Sequence, residues 1–300
     1  MHVALCQFNP VVGAIFQNAN KMKEFASLAF SQGAELIIFP ELAICGYPPK
    51  DLLFREELHQ QIKLALDELS RISPLPIILG APVRCQKQAG QALWNAAVLC
   101  HEGKVEIVAR KQLLPNYDVF DERRYFEPGK KSDGSNLLNF NGITFGFCIC
   151  EDAWNDHLSG LQRKYDVDPV VDLVEQGAEV IINMSASPFF VNKPEVREKL
   201  FSDVAKYHQR PLMMVGQVGA NDQLVFDGHS MLIDAQGHIL ARLNLFEEGL
   251  LLAEVNSKTS VAVLSPEIST PLPQKISLMS SAIILGIKDY VEKCRAPGIL

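Results

Sequence analysis

The sequence predicts a mixed-sheet, layered α/β fold. Three features predict it: a strand–helix–strand unit between His2 and Phe39, tight-turn strand pairs at 93–109 and 138–149, and further apolar strands interspersed with amphipathic helices up to Val255. Hairpins join several neighbouring strands, so the strict alternation of a doubly wound sheet is not expected. There is no internal repeat and no low-complexity tract.

Residues 2–8 alternate and are rich in apolar side chains, and Asn9-Pro10 ends them as a strand. Met22, Phe25, Ala26 and Ala29 stand at helical spacing within 18–32, with Gly33 as the stop. Residues 35–39 form a short apolar strand closed by Pro40. Ile62, Ala65, Leu66 and Leu69 mark one face of a helix over 58–69, and 76–80 is another strand. Segments 93–100 and 105–109 flank a turn at His101-Glu102-Gly103-Lys104. Segments 138–140 and 143–149 flank Asn141-Gly142, a pair suited to a two-residue hairpin turn. Between these hairpins runs a long polar and aromatic loop, 112–131, of the kind that often binds ligands.

Residues 157–165 read as a polar loop or short helix, 169–176 as a helix and 179–183 as a strand. Pro194 sits in the first turn of a helix that places Val196, Leu200, Val204 and Tyr207 on one face. A strand at 212–215, a hairpin of 226–234 with 239–243 around Gln236-Gly237, and a last strand at 249–255 complete the domain. Residues 256–274, richer in Ser, Thr and Pro, read as a linker or arm. A helix over 276–294 follows, with Met279, Ala282, Ile283, Gly286 and Tyr290 on a face, and then a strand-like stub at 297–300. The expected layout is a domain over 1–255, a linker over 256–274, and over 275–300 the opening of a further domain that is truncated.

The chain has 300 residues, 48% of them hydrophobic and 21% charged, which suits a large buried core. A net charge of -7 argues against non-specific nucleic-acid binding. Seven cysteines, odd in number and irregular in spacing, suit a reduced protein and not a disulfide framework. No Cys-x-x-Cys or His-x-x-x-His pair suggests a metal site. The N-terminus lacks the features of a signal peptide, and no apolar run is long enough for a membrane span. The expected compartment is the cytoplasm, with no membrane partner.

Three groups of complementary chemistry stand at strand ends. Cys150 follows the apolar run 143–149, where a thiol is held rigidly yet within reach of substrate; a pair of core cysteines with Cys148 is the alternative. Glu41 follows the strand at 35–39, where a solvated loop acid is the plain alternative, and Lys111 follows the strand at 105–109, where a solvated lysine is. A thiol needs a base to become a thiolate, and a nearby cation stabilises both the thiolate and the oxyanion formed on attack. No histidine is obviously placed for this task. Asn95 reads as a turn or strand-edge residue, Tyr47 as a loop anchor or a substrate contact, and Trp154 as a wedge behind the turn.

Phe39-Pro40-Glu41, Arg110-Lys111-Gln112-Leu113-Leu114-Pro115 and Cys150-Glu151-Asp152-Ala153-Trp154 resemble the three signature blocks of the nitrilase/amidase superfamily. The resemblance implies a four-layer α-β-β-α sandwich that forms a homo-oligomer. It implies Glu41 as general base, Lys111 as second catalytic residue, Cys150 as nucleophile and Glu122 as a supporting glutamate. Tyr47-Pro48-Pro49-Lys50-Asp51-Leu52-Leu53, Pro115-Asn116-Tyr117, Ser185-Ala186-Ser187-Pro188-Phe189 and 224–228 resemble, more closely, the glutaminase domain of glutamine-dependent NAD+ synthetases. That implies L-glutamine as substrate, bound by Tyr117, Ser187 and Lys193, with the Glu151 main-chain N–H as an oxyanion donor. Lys193, just before a helix, also suits an α-carboxylate on physical grounds.

The same resemblance implies no metal or organic cofactor for hydrolysis, and ATP with Mg2+ in a synthetase domain that receives the ammonia. The Ser-Gly-Gly-x-Asp-Ser loop of such a domain is absent from these 300 residues, and 157–168 is longer and more polar than the family pattern. Two other readings share much of the site: a stand-alone amidase, nitrilase or carbamoylase on another small amide, and a non-catalytic glutamine-binding domain.

Overall fold

Strand β1 (His2–Gln7) shows how the layers arise. Its side chains alternate between two faces, and both faces are apolar. Ala4 and Cys6 pack on the first helix, α1 (Ile15–Ser31), while Val3 and Leu5 pack towards a second sheet. The computed structural model describes residues 1–85, 91–154, 165–257, 260–264 and 272–297. After α1 come β2 (Leu36–Ile38), α2 (Glu56–Ile72), β3 (Ile77–Arg84) and the hairpin of β4 (Leu93–His101) with β5 (Lys104–Arg110). A second hairpin, β6 (Leu137–Phe140) with β7 (Ile143–Ile149), turns at Asn141 and Gly142, both left-handed at φ 49° and 79°. Then follow α3 (Pro169–Glu175), β8 (Val180–Ser185), α4 (Lys193–His208), β9 (Leu212–Gly216) and the pair β10 (Val218–Asn221) and β11 (Leu224–Asp227). The chain continues through β12 (Met231–Ile233), β13 (Ile239–Arg242), β14 (Gly249–Ser257), β15 (Ser260–Val263) and α5 (Lys275–Lys293).

The strands form two large sheets. One has the order β15-β14-β1-β2-β3-β4-β5 and the other β13-β12-β9-β8-β7-β6, with β10-β11 as a separate ribbon. Parallel pairs β1/β2, β2/β3, β7/β8 and β8/β9 form the centres, flanked by antiparallel strands. Leu36, Ile38, Ile78, Phe145, Phe147, Ile182 and Val215 fill the layer between the sheets. Helices α1 and α2 cover the outer face of the first sheet, and α3 and α4 that of the second. The result is the four-layer α-β-β-α sandwich.

Several boundaries differ from the sequence reading. The sheet does not stop at Val255: β14 runs on to Ser257, and β15 pairs with it because Val261 and Val263 face the inter-sheet layer. The expected linker therefore begins later than 256. The expected strand at 226–234 is two strands, since Gly228 and His229 are both left-handed (φ 71° and 60°) and break the ladder. The ribbon strand β10 escaped notice because its four residues, one a glycine, carry no periodic signal. On α4 the buried stripe centres on Arg197, Leu200, Phe201 and Val204, leaving Tyr207 exposed. On α5 the buried residues are Leu278, Ala282 and Asp289, while Met279, Ile283 and Tyr290 face outward. Residues 157–164 and 298–300 lie outside the described residues.

One glycine sets the position of the first strand-end turn. A Cβ at Gly80 of β3 would lie 2.1 Å from the Leu42 nitrogen and 2.6 Å from the Pro40 carbonyl oxygen. The Pro40–Leu42 main chain thus lies flat on β3, and Gly80 N–H donates to Pro40 O at 3.0 Å. Gly80→Ala is expected to cost about 1–3 kcal/mol through this overlap. A urea titration checks it, and an unchanged midpoint would show that the turn yields freely.

Candidate active site

Cys150 follows β7 and opens a short 3-10 turn, Cys150–Ala153. Its φ of +46° is left-handed, which costs an L-residue roughly 1–2 kcal/mol. Two side chains hold it there. Asp152 Oδ2 accepts the Ile149 N–H at 2.9 Å, and Asn183 Nδ2 donates to the Cys150 carbonyl at 3.4 Å. The bend separates the thiols: Cys148 packs in the outer layer with α3 and α4, and Cys150 faces the inter-sheet layer.

Asp152 also reaches the lysine segment. Its Oδ1 accepts the N–H groups of Gln112 and Leu113 at 2.9 and 2.8 Å. One buried carboxylate therefore ties the thiol's turn to the residues after Lys111. Burial pushes its pKa up to about 7, against the pull of the three main-chain donors.

Lys111 is 1% exposed and lies between two carboxylates. Its Nζ donates to Glu41 Oε1 and to Glu122 Oε1, each at 2.7 Å. Asn95 fixes both ends of this contact. Its Nδ2 donates to Glu41 Oε1 at 2.7 Å, and its carbonyl accepts the Lys111 N–H at 2.8 Å. The other Glu41 oxygen accepts the Ala186 N–H at 2.9 Å, from the end of β8. Tyr47 Oη donates to Glu122 Oε1 at 3.0 Å, whereas Glu122 Oε2 is buried without a partner among the described residues.

The electrostatics follow from this packing. Burial favours a neutral Lys111, but Glu122 and Glu41 outweigh it and keep the ammonium protonated well above its ordinary range. Burial raises Glu122 to about 7, with Lys111 opposing and Glu41 reinforcing. Burial and then the Glu41 charge push the Cys150 thiol far up, and Lys111 offsets only part. Burial and the neighbouring carboxyl groups thus favour the protonated form of the Cys150 thiol.

A second cluster lies within electrostatic reach of Cys150. Tyr117 Oη donates to both Glu151 oxygens, at 2.7 and 2.9 Å, and Tyr165 Oη to one at 3.2 Å. Lys193, the first residue of α4, is buried with its Nζ 4.0 Å from the centre of the Trp154 ring and 5.1 Å from that of Phe190. Burial and the neighbouring Arg197 lower its pKa to about 8. Arg197 in turn is locked to Asp227 by a buried two-pronged pair at 2.8 and 3.0 Å, which anchors α4 to β11. Ser187 is buried next to Ala186.

Glu41, Lys111, Cys150 and Glu122 thus meet in one place, with Tyr117, Glu151 and Lys193 around them and Ser187 beside the Glu41 donor. Asp152, Asn183 and Asn95 were not readable as parts of the site, nor was the bond from Tyr47 to Glu122. Each acts on a segment distant in sequence. The one available signal was Asp152, inside the Cys150–Trp154 block. Among the described residues no cluster of three or more His, Cys, Asp or Glu could hold a metal ion, and no helix is long and apolar enough to cross a membrane.

A four-layer sandwich with a thiol, a carboxyl group and an ammonium at strand ends fits a carbon–nitrogen hydrolase. Residues 2–263 match the carbon-nitrogen hydrolase family, and the chain belongs to it. It is 40% identical to the glutamine-dependent NAD(+) synthetase of Synechocystis sp., over 97% of this chain and 52% of that protein. It is 31% identical to the one from Thermotoga maritima, over 98% and 54%. It superimposes on glutamine-dependent NAD+ synthetase from Acinetobacter baumannii with a TM-score of 0.87 and 33% identity, covering 99% of this chain and 53% of that one. An amidase from Nesterenkonia sp. shares the fold, with a TM-score of 0.68 and 23% identity over 84% of this chain and 89% of that one. The chain spans about half the length of the curated relatives it matches.

Lys111→Met is expected to slow alkylation of Cys150 by iodoacetamide at neutral pH by about tenfold, the effect of one pKa unit on the thiolate fraction. Peptide mapping separates Cys150 from the other cysteines. An unchanged rate would mean that the thiol does not feel the ammonium.

Proposed function

We propose that this chain hydrolyses the side-chain amide of L-glutamine to glutamate and ammonia, with Cys150 as nucleophile, Glu41 as base and Lys111 as oxyanion donor. Glu41 takes the Cys150 proton, and the sulfur forms a bond to the amide carbon. The carbonyl oxygen becomes an oxyanion, met by the Lys111 ammonium and the Glu151 main-chain N–H. The tetrahedral carbon then loses its nitrogen, which takes the proton held by Glu41 and leaves as ammonia. A γ-glutamyl thioester remains. Glu41 next removes a proton from water, the hydroxide displaces the sulfur, and the thiol is restored as glutamate departs. Glu122, sharing the Lys111 charge, supports the ammonium in place. No metal or organic cofactor takes part in this sequence.

The observation that carries the substrate is a pair of groups near Cys150, Lys193 and Glu151, that form no close ion pair among the described residues. Lys193 Nζ faces the Trp154 and Phe190 rings and Glu151 accepts from tyrosine hydroxyls, while the two attract each other only at longer range. Buried charges of this kind call for a counter-charge. An amino-acid headgroup supplies both, its carboxylate to Lys193 and its ammonium to Glu151, with Tyr117 and Ser187 completing the pocket. The likeness to glutamine-dependent NAD(+) synthetases supports the same substrate. It also supports delivery of the ammonia to a synthetase domain of a longer chain, where ATP and Mg2+ would drive amidation of nicotinic acid adenine dinucleotide. Seven free cysteines support a cytoplasmic enzyme, and the superfamily resemblance supports a homo-oligomer.

Ammonia release from L-glutamine beside a panel of other amides and nitriles tests the reading. Turnover of glutamine that vanishes in Cys150→Ala is expected; turnover of another amide with glutamine ignored would replace the substrate. Lys111→Met is expected to lower kcat about 10²–10³-fold, as loss of an oxyanion donor does.

The pH dependence has a definite sign. Lys193 is charged below its value of about 8 and loses its proton above it, so KM for glutamine should rise as pH climbs through that value. Lys193→Arg should remove this rise, because guanidinium stays charged. A KM that stays flat in the native enzyme would detach Lys193 from the substrate carboxylate.

A further inference from the structure

Helix α5 lies beyond residue 263, where the match to the hydrolase family ends. Besides the buried Leu278 and Ala282, it carries a buried ion pair. Asp289, 3% exposed, accepts the Ala220 N–H at 2.7 Å and Asn9 Nδ2 at 2.9 Å, and pairs with Lys293 one turn later at 3.0 Å. Lys293 Nζ donates to Asn9 Oδ1 at 2.6 Å, Ala220 O at 2.9 Å, Pro10 O at 3.0 Å and Asn221 Oδ1 at 3.1 Å.

The bonds do not stop at Asn221. Its Nδ2 donates to the Tyr47 carbonyl at 3.2 Å, which also accepts Gln217 Nε2 at 3.2 Å. The Tyr47 ring sits edge-on to Phe226 with centroids 6.1 Å apart, and its hydroxyl donates to Glu122 Oε1. That same oxygen accepts the Lys111 ammonium, which donates onward to Glu41. Two donors on one carboxylate oxygen fix where the charge of Glu122 sits, and so the field that Lys111 and Cys150 experience. A helix outside the hydrolase fold is therefore joined to Lys111 by hydrogen bonds on either side of Tyr47, whose covalent frame links the main-chain carbonyl that Asn221 holds to the phenol hydroxyl that donates to Glu122.

We propose that the Asp289–Lys293 pair of α5, acting through Asn221 and Tyr47, is a positioning element for the Glu122–Lys111–Glu41 set and thereby tunes the reactivity of Cys150. This rests on the reading of Cys150 as the nucleophile. Tyr47, Asn221, Asp289 and Lys293 are positioning residues, since none of them touches the reacting atoms. If the helix acts through the Tyr47 hydroxyl, loosening the helix has no further effect once that hydroxyl is gone.

The test is a mutant cycle on the 300-residue chain: Lys293→Met, Asn221→Ala, Tyr47→Phe, and each of the first two combined with Tyr47→Phe. The rate of Cys150 alkylation by iodoacetamide is followed across the neutral pH range, with near-ultraviolet circular dichroism as the check on folding. Each single variant is expected to slow alkylation at neutral pH by roughly three- to thirtyfold, the span of coupling within one hydrogen-bond network, and to displace the pH profile. Each double variant should be no slower than Tyr47→Phe alone. Additive losses in the doubles, or a pH profile that does not move, would overturn the proposal.

Should Lys293→Met fail to fold, the cycle of Asn221→Ala with Tyr47→Phe decides by the same two outcomes, with the Asp289–Lys293 pair left in place. Glutamine turnover, measured in parallel, keeps the two readings apart. A displaced alkylation profile without glutamine turnover overturns the substrate and keeps the positioning role; turnover with an undisplaced profile does the reverse.

Discussion

The molecule is arranged around a buried lysine ammonium, 1% exposed. Taking such a charge out of solvent costs several kcal/mol unless close opposite charges meet it. Lys111 meets two carboxylates at 2.7 Å, from a strand-end turn and from the long loop. Glu41 can be there because Gly80 lets its turn lie on the neighbouring strand. Glu122 can be there because the loop after β5 folds back over the site, with Tyr47 on its carboxylate. Removing any one of these contacts leaves a buried charge short of a partner.

The thiol is the counterpart of that constraint. It shares the buried environment, where the charges of Glu41, Glu122 and Glu151 oppose the thiolate and that of Lys111 favours it. Burial and the carboxyl groups together favour its protonated form. The Glu41 carboxyl group is held by Asn95, Lys111 and the Ala186 N–H, so its oxygens are already oriented. Orientation of this kind lowers the reorganisation needed at the moment of reaction. The left-handed Cys150 and the left-handed Leu42 after Glu41 (φ 47°) show where the backbone is bent to achieve it.

How much of this was legible depended on the range over which each signal acts. Strand positions, both tight hairpins and the three reactive residues could be read from local runs, because a strand end is marked by residues next to it. That Cys148 packs in the core while Cys150 does the chemistry is a reading the sequence allows, but the backbone angle that turns the two thiols to different layers is not legible in it. Asp152 stood in plain sight, yet two of its three main-chain partners, Gln112 and Leu113, come from a segment about forty residues away in sequence. Strand β15 was hidden in a stretch whose Ser, Thr and Pro content suggested a linker; only its pairing with β14 gives Val261 and Val263 a buried face. The buried stripe of α4 was misplaced because an arginine occupies it, and composition alone assigns arginine to the surface. Asp289 on α5 misled in the same way.

The bend at Cys150 has a consequence for oxidative chemistry. A disulfide needs its two β-carbons roughly 3.5–4.5 Å apart with matched directions. Cys148 and Cys150 are two positions apart in the chain, but a sheet lies between their sulfurs. A sulfenic acid formed on Cys150 is therefore not placed to be resolved by the nearest cysteine in sequence, Cys148.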